Sequence, residues 1–164
     1  GSRVVNMSSI SHYRVKDVDW GNINSEVHYS KIKAYSISNL FRIMFTLELE
    51  EKLRQKHYET MAVSCHPGVT FTNLHRYMPR IVRNPVLAKI MNRTFFQTPY
   101  EASMPALMAA CSPSIKGGDF VGLDTKRQYR GSPKTVRPSE LVFDKYLRER
   151  LWRKSVEITG VDLE

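Results

Sequence analysis

Two short segments bring polar, chemically capable groups to the ends of apolar runs. Arg3 to Ser9 is a β-branched stretch ending in the hydroxyls of Ser8 and Ser9. Read as a buried strand over residues 3–9, it delivers Ser8 and Ser9 to the C-terminal edge of a sheet, where Ser9 is well placed for chemistry. His66-Pro67-Gly68 closes a second apolar run, residues 61–65. Open parallel sheets bind ligands at that edge, and Gly68 permits close approach of backbone to a ligand; an ordinary strand-ending turn is the alternative. Cys65 and Cys111 stand far apart in no metal-ligand spacing, so both read as reduced, structural thiols and no metal site is expected.

The elements that must position these groups follow from periodicity. Residues 10–27 are polar and turn-rich, with Asp17, Asp19 and Gly21-Asn22, and read as a long loop with one helical turn. Residues 28–56 place Ile37, Leu40, Phe41, Met44 and Phe45 at the three-and-four spacing of a long helix. A third strand is expected near 117–123, with a helix around 99–111 before it, kinked or started late by Pro105. A final helix follows Pro138, runs through Leu141, Leu147 and Leu151, and stops near Gly160. Strands alternating with helices imply an α/β fold, a parallel sheet covered by helices, in one domain of 164 residues.

Composition narrows the function classes. With 41% hydrophobic residues the chain can build a core. No apolar run is long enough to span a bilayer, and the first residues carry no secretory leader pattern, which points to the cytoplasm or the cytosolic face of a membrane. Twenty-five Lys and Arg against sixteen Asp and Glu give +9. That charge could suit a nucleic acid, but Lys126, Arg127, Arg130, Lys134 and Arg137 are spread without a groove-reading motif or aromatic strip, so no nucleic-acid partner is favoured.

In order and spacing, residues 3–9, Ala34-Tyr35-Ser36-Ile37-Ser38, Phe45-Thr46-Leu47-Glu48-Leu49, His66-Pro67-Gly68-Val69-Thr70-Phe71-Thr72 and Leu151-Trp152 resemble the C-terminal half of a short-chain dehydrogenase/reductase of the retinol-dehydrogenase-like branch. The resemblance covers nearly the whole chain and implies the C-terminal half of a Rossmann-type, doubly wound parallel sheet. It implies an NAD- or NADP-dependent oxidoreductase interconverting a lipophilic alcohol and a carbonyl. Two departures stand out. No G-x-G-x-x-G turn is present, so the N-terminal dinucleotide-binding half is expected to be absent. The family's Tyr-x-x-x-Lys becomes Tyr35 with Asn39 at the lysine position.

A literal Tyr-x-x-x-Lys does exist at Tyr29 and Lys33. On one helix the six-residue offset between the tyrosines is roughly 240°, so only one could face a cofactor. Tyr35 is preferred, because Phe45 to Leu49 follows it at the family's distance and Ser38 precedes Asn39 as a serine commonly precedes the lysine. Tyr35, Ser38, Asn39, Arg42 and Thr46 then share a polar face; a solvated helix surface is the competing explanation.

The resemblance gives Tyr35 the general acid/base role, Ser9 the hold on the substrate oxygen and Asn39 the third catalytic position. Tyr35, Asn39, Pro67, Gly68, Val69 and Thr72 would meet the cofactor. A tyrosine of ordinary pKa near 10 is a poor base unless nearby positive charge favours its phenolate. Lys31 leans away from Tyr35 and Asn39 carries no charge, so impaired turnover, or a binding or regulatory homologue without turnover, is expected. Residues 74–96 combine apolar side chains with five cations and no acid. The resemblance makes them a substrate lid touching a membrane surface; a helix pair with a solvated basic rim is equally open. The strand edge left by a missing half should pair with that half or with a second copy, or aggregate.

Overall fold

The computed structural model describes residues 1–70 and 96–163; the expected lid and Thr72 lie outside the described residues. Four strands form one sheet in the order β1 (Arg3–Met7), β2 (Met61–Cys65), β3 (Phe120–Leu123), β4 (Pro133–Thr135). β1, β2 and β3 run parallel, with Val5 opposite Val63 and Cys65 opposite Val121. β4 pairs antiparallel with β3 and was not expected.

Helices cover both faces. α1 (Lys31–Gln55) and α3 (Lys145–Thr159) pack on one, where Leu40, Ile43 and Met44 meet Phe120, Val142 and Leu151. α2 (Pro99–Cys111) packs on the other, where Ala109 meets Val63, Cys65 and Val121. Alternation along the strands sorts these side chains: Phe120 faces α1 while its neighbour Val121 joins the α2 cluster. Phe45 stacks on Trp152 at 5.2 Å, which fixes α3 along α1.

Several boundaries differ from the sequence reading. β1 ends at Met7, not Ser9, because Ser9 leaves the ladder to cap a 3-10 turn at Ile10–Arg14. β1 is half-buried rather than buried; among the described residues it pairs only with β2, and Val4 and Met7 are exposed. The expected loop holds a second 3-10 turn at Trp20–Asn22, capped by Asp19. α1 begins at Lys31 behind an N-cap from Ser30, three residues later than expected. α2 starts at Pro99, with a capping box from Thr98 and Glu101, and continues through buried Pro105. β3 starts at Phe120, since Gly118 lies at φ +84° in the turn before it. The single helix after Pro138 is two pieces, a 3-10 turn at Glu140–Phe143 and α3, separated by Asp144, whose carboxylate caps the latter. Cys111 is exposed and Cys65 buried; both are free thiols.

Candidate functional site

Parallel pairing brings the ends of β1 and β2 to one edge of the sheet, and a stitch of hydrogen bonds holds α1 against that edge. The Ser8 amide donates to the Cys65 carbonyl at 2.7 Å, and the buried Ser8 hydroxyl donates to the Asn39 carbonyl at 2.8 Å. Arg42 reaches the Met7 carbonyl at 3.0 Å, and Asn6 donates to the Thr46 hydroxyl at 2.9 Å. The polar face of α1 is therefore not a solvated surface at Asn39 and Thr46, both buried; it is the seam that sets the helix on the strand.

This seam places Ser9 and Tyr35 on the wall of one cavity of about 920 Å³. Ser9 is half-buried and its hydroxyl accepts from the Ser11 amide at 3.2 Å, leaving its proton available to a ligand. Tyr35 is exposed. Tyr13, Tyr29 and Tyr129 line the same cavity with Arg14, Lys31 and Arg127. Tyr29 precedes α1, so the rotation that separates two tyrosines on one helix does not separate these. Lys31, one turn before Tyr35, also shares the wall.

Asn39 does not line the cavity. Its side chain is 1% exposed, and its Nδ2 donates to the Tyr35 carbonyl at 2.8 Å, reaching back one turn to the backbone. Pro67, Gly68 and Val69 form the turn after β2. Gly68 has φ +73°, and a Cβ there would lie 2.5 Å from Leu123 and 2.7 Å from both Gln97 and the Tyr129 carbonyl. Glycine is thus required by crowding within the protein as well as by conformation. The Val69 amide donates to the Tyr129 carbonyl at 2.8 Å, tying this turn to a cavity residue, and its carbonyl accepts from Gln97 at 2.9 Å.

Four polar residues hold the site, three of which, His12, Gln128 and Gln97, are absent from the sequence reading. His12, fully buried, donates from Nδ1 to the Ser9 carbonyl at 2.7 Å and accepts at Nε2 from the Ser139 amide at 3.2 Å. His66, also fully buried, accepts at Nδ1 from the Gly68 amide at 3.1 Å and donates from Nε2 to Gln128 at 2.7 Å. Each ring therefore has one donating and one accepting nitrogen, the neutral form. Burial depresses the His12 pKa to about 4 and pushes His66 down as well, although its hydrogen bond to Gln128 opposes the shift. Gln128 continues to the Tyr13 hydroxyl at 3.3 Å, and Tyr13 packs on His12 with ring centroids 3.9 Å apart. A polar chain thus joins the Gly68 turn to the Ser9 turn. Gly122 makes room for it: a Cβ there would lie 2.4 Å from Gln128 Oε1 and 2.7 Å from His66 Nε2. Gln97 is the fourth, donating to the Pro67 carbonyl at 2.6 Å and accepting from the Gly131 amide at 3.2 Å.

A partly parallel sheet with helices on both faces and a cavity at its C-terminal edge is the architecture of one half of a Rossmann-type fold. No family model matches the chain. Individual proteins do. Over 98% of its length the chain is 30% identical to retinol dehydrogenase 14 of Mus musculus and 29% identical to polyprenol dehydrogenase of Homo sapiens, covering 45% and 46% of those proteins. A crystal structure of an uncharacterized protein from Mycobacterium Paratuberculosis is 26% identical and superposes with a TM-score of 0.75 over 99% of this chain and 52% of that one. These likenesses place the chain among the short-chain dehydrogenases/reductases, in the retinol-dehydrogenase-like branch. It spans about half the length of the curated relatives it matches.

Proposed function

We propose that this chain supplies the substrate-side half of an NAD- or NADP-dependent short-chain dehydrogenase/reductase that interconverts a lipophilic alcohol and a carbonyl. The observation that carries the reading is that Ser9 and Tyr35 share one cavity wall at the sheet edge where the Gly68 turn ends β2. The Ser9 hydroxyl donates to the substrate oxygen. Tyr35 gives that oxygen a proton in reduction and takes it in oxidation. His12 fixes the Ser9 carbonyl and so the direction of its hydroxyl.

Of the residues that would meet the nicotinamide end of the cofactor, Tyr35 lines the cavity, whereas the Pro67-Gly68-Val69 turn lies outside its lining with both its amides bonded within the protein. Tyr35, the Pro67-Gly68-Val69 turn and, outside the described residues, Thr72 would hold that end; Asn39, buried and engaged with its own helix, would need to turn outward to join them. When bound, the cofactor supplies the hydride acceptor or donor. The phosphates need a glycine-rich turn that this sequence does not contain. The unpaired side of β1 is the place for the rest of the sheet, as a second half of the same protein or a second copy. Among the described residues no helix is long and apolar enough to cross a membrane.

The test uses a chain in which the dinucleotide-binding half is present. Alcohol oxidation followed by cofactor absorbance should fall by about 10²–10⁴-fold with Tyr35→Phe and little with Tyr29→Phe; the opposite pattern would move the role to Tyr29 and Lys33. The burial of neutral Asn39 favours a second reading, a homologue that binds without turnover. Asn39→Lys separates the two. A gain of about tenfold or more that Tyr35→Phe abolishes supports the enzyme, because a cation one turn on favours the phenolate. An inert protein in every variant supports the binding homologue.

A further inference from the structure

The cavity carries a chemical preference of its own. Arg14, Lys31 and Arg127 stand around it, and no aspartate or glutamate is among its described lining residues. Five cations elsewhere are held in ion pairs: Arg54 with Glu50, Arg137 with Glu140, Lys145 with Glu51, Arg148 with Glu48 and Glu51, and Lys154 with Glu157. None of the cavity cations takes part in an ion pair among the described residues, and residues 71–95 contain no acid that could supply one. The first turn of α1 holds no acid either, so Lys31 stands at the positive end of the helix dipole, an unfavourable position for a cation.

The wall adds a second kind of contact. Tyr13, Tyr29 and Tyr129 offer aromatic faces to a hydrocarbon. The Ser11 and Ser36 hydroxyls, both buried and both in the wall, have no hydrogen-bond partner. Both oxygens are closed off from solvent, and a third such hydroxyl, Ser64, lies in β2 away from the wall. The volume, about 920 Å³, lies near the top of the roughly 300–1,000 Å³ usual for small-molecule sites and accommodates an extended chain.

We propose that the substrate of this cavity is an amphiphile: an extended apolar alcohol or aldehyde whose far end carries an anionic group, a carboxylate or a phosphate, met by Arg14, Lys31 and Arg127. The proposal rests on the reading of Ser9 and Tyr35 for its reacting end, whereas the preference for an anion rests on the three exposed cations alone.

The experiment is equilibrium dialysis of the full chain against ω-hydroxypalmitate and its methyl ester, each below its micelle concentration. At about 50 mM salt the acid should bind about tenfold or more tighter than the ester, with the preference shrinking at about 500 mM. Arg14→Gln combined with Arg127→Gln should abolish the preference, whereas Lys116→Gln combined with Lys134→Gln, the same change of charge outside the cavity lining, should preserve it. Equal affinity for acid and ester, no saturable binding of either, or equal loss in the two double variants overturns the proposal. So does displacement of the acid by adenosine 2′,5′-bisphosphate, which would assign the cations to a cofactor phosphate. A retained acid preference in a two-half protein whose oxidation of ω-hydroxypalmitate is indifferent to Tyr35→Phe overturns the catalytic reading and leaves the anion site standing. Equal turnover of acid and ester, lost with Tyr35→Phe, does the reverse.

Discussion

The C-terminal half of α1 sets Glu48 and Glu51 against Arg148 and Lys145 of α3, whereas its N-terminal end places Lys31 on one cavity wall with Arg14 and Arg127, none of them in an ion pair among the described residues. Arg148 is 11% exposed and Glu48 6%, so each depends on the other for the solvation that water no longer gives. Arg148 also donates to the Val142 and Phe143 carbonyls, which ties the 3-10 turn before α3 into the same network. At the cavity the cations are exposed, water screens their mutual repulsion, and a ligand can take the place of a partner. The buried Arg148–Glu48 pair therefore builds structure, whereas the exposed cavity cations retain binding capacity.

The sharpest way to break this contrast is Arg148→Leu, which leaves Glu48 buried without a partner. Urea unfolding should show a loss of about 3–5 kcal/mol, while Arg14→Gln with Arg127→Gln stays within about 0.5 kcal/mol of the parent. Gly68→Ala tests the turn between the regions. Positive φ and the crowding by Leu123, Gln97 and Tyr129 should cost about 1–3 kcal/mol in the same assay.

The buried histidines sharpen the comparison through pH. In the unfolded chain His12 titrates near its ordinary 6.5, and in the folded protein at about 4. As pH falls through 6.5 the unfolded state takes up the proton first. Stability is thus complete above 6.5 and is lost progressively down to about pH 4, by about 1.4 kcal/mol per pH unit from His12. His66 adds to the loss in the same direction. His12→Asn, which can keep a donor toward the Ser9 carbonyl, should flatten the slope between pH 6 and pH 4.5 measured by urea titration; an unchanged slope would mean that His12 is not the group responsible. The smallest effect belongs to Lys31→Glu. Replacing a cation by an anion at the positive end of α1 should stabilise the protein by about 0.3–1 kcal/mol in thermal unfolding while weakening ω-hydroxypalmitate binding.

What could be read from the residues follows from how local each determinant is. The spacing of Leu40, Phe41, Met44 and Phe45 announces α1, and the apolar runs ending at Met7 and Cys65 announce β1 and β2, because burial of one face is written at short range. β4 is three residues beginning with a proline and a lysine, and it exists because Thr135 lies opposite Val121, a pairing no local pattern encodes. The break before α3 had a legible signal in Asp144, three residues before the Leu147 amide that it caps. Ser9 and Tyr35, which share the cavity wall, could be named as candidates from order and spacing. His12 was not, since its burial depends on Phe120 and on the Ser139 amide more than a hundred residues away. Asn39 was found as a position, but its engagement with the Tyr35 carbonyl and with Ser8 belongs to tertiary packing.

The pairing of Thr70 with Gln97 sets the cost of changing the length of chain between them. Beyond the end of β2, Thr70 and Gln97 form an isolated parallel bridge, where the Thr70 hydroxyl donates to the Gln97 carbonyl at 2.9 Å and the Gln97 side chain grips Pro67 and Gly131. The two ends of the intervening stretch are thus fastened to each other and to the frame. Lengthening such a stretch adds only a slowly growing closure entropy, about 0.6 kcal/mol per doubling. Changes of length between Thr70 and Gln97 therefore cost little closure entropy, while the fastened ends leave the Gly68 turn where it is.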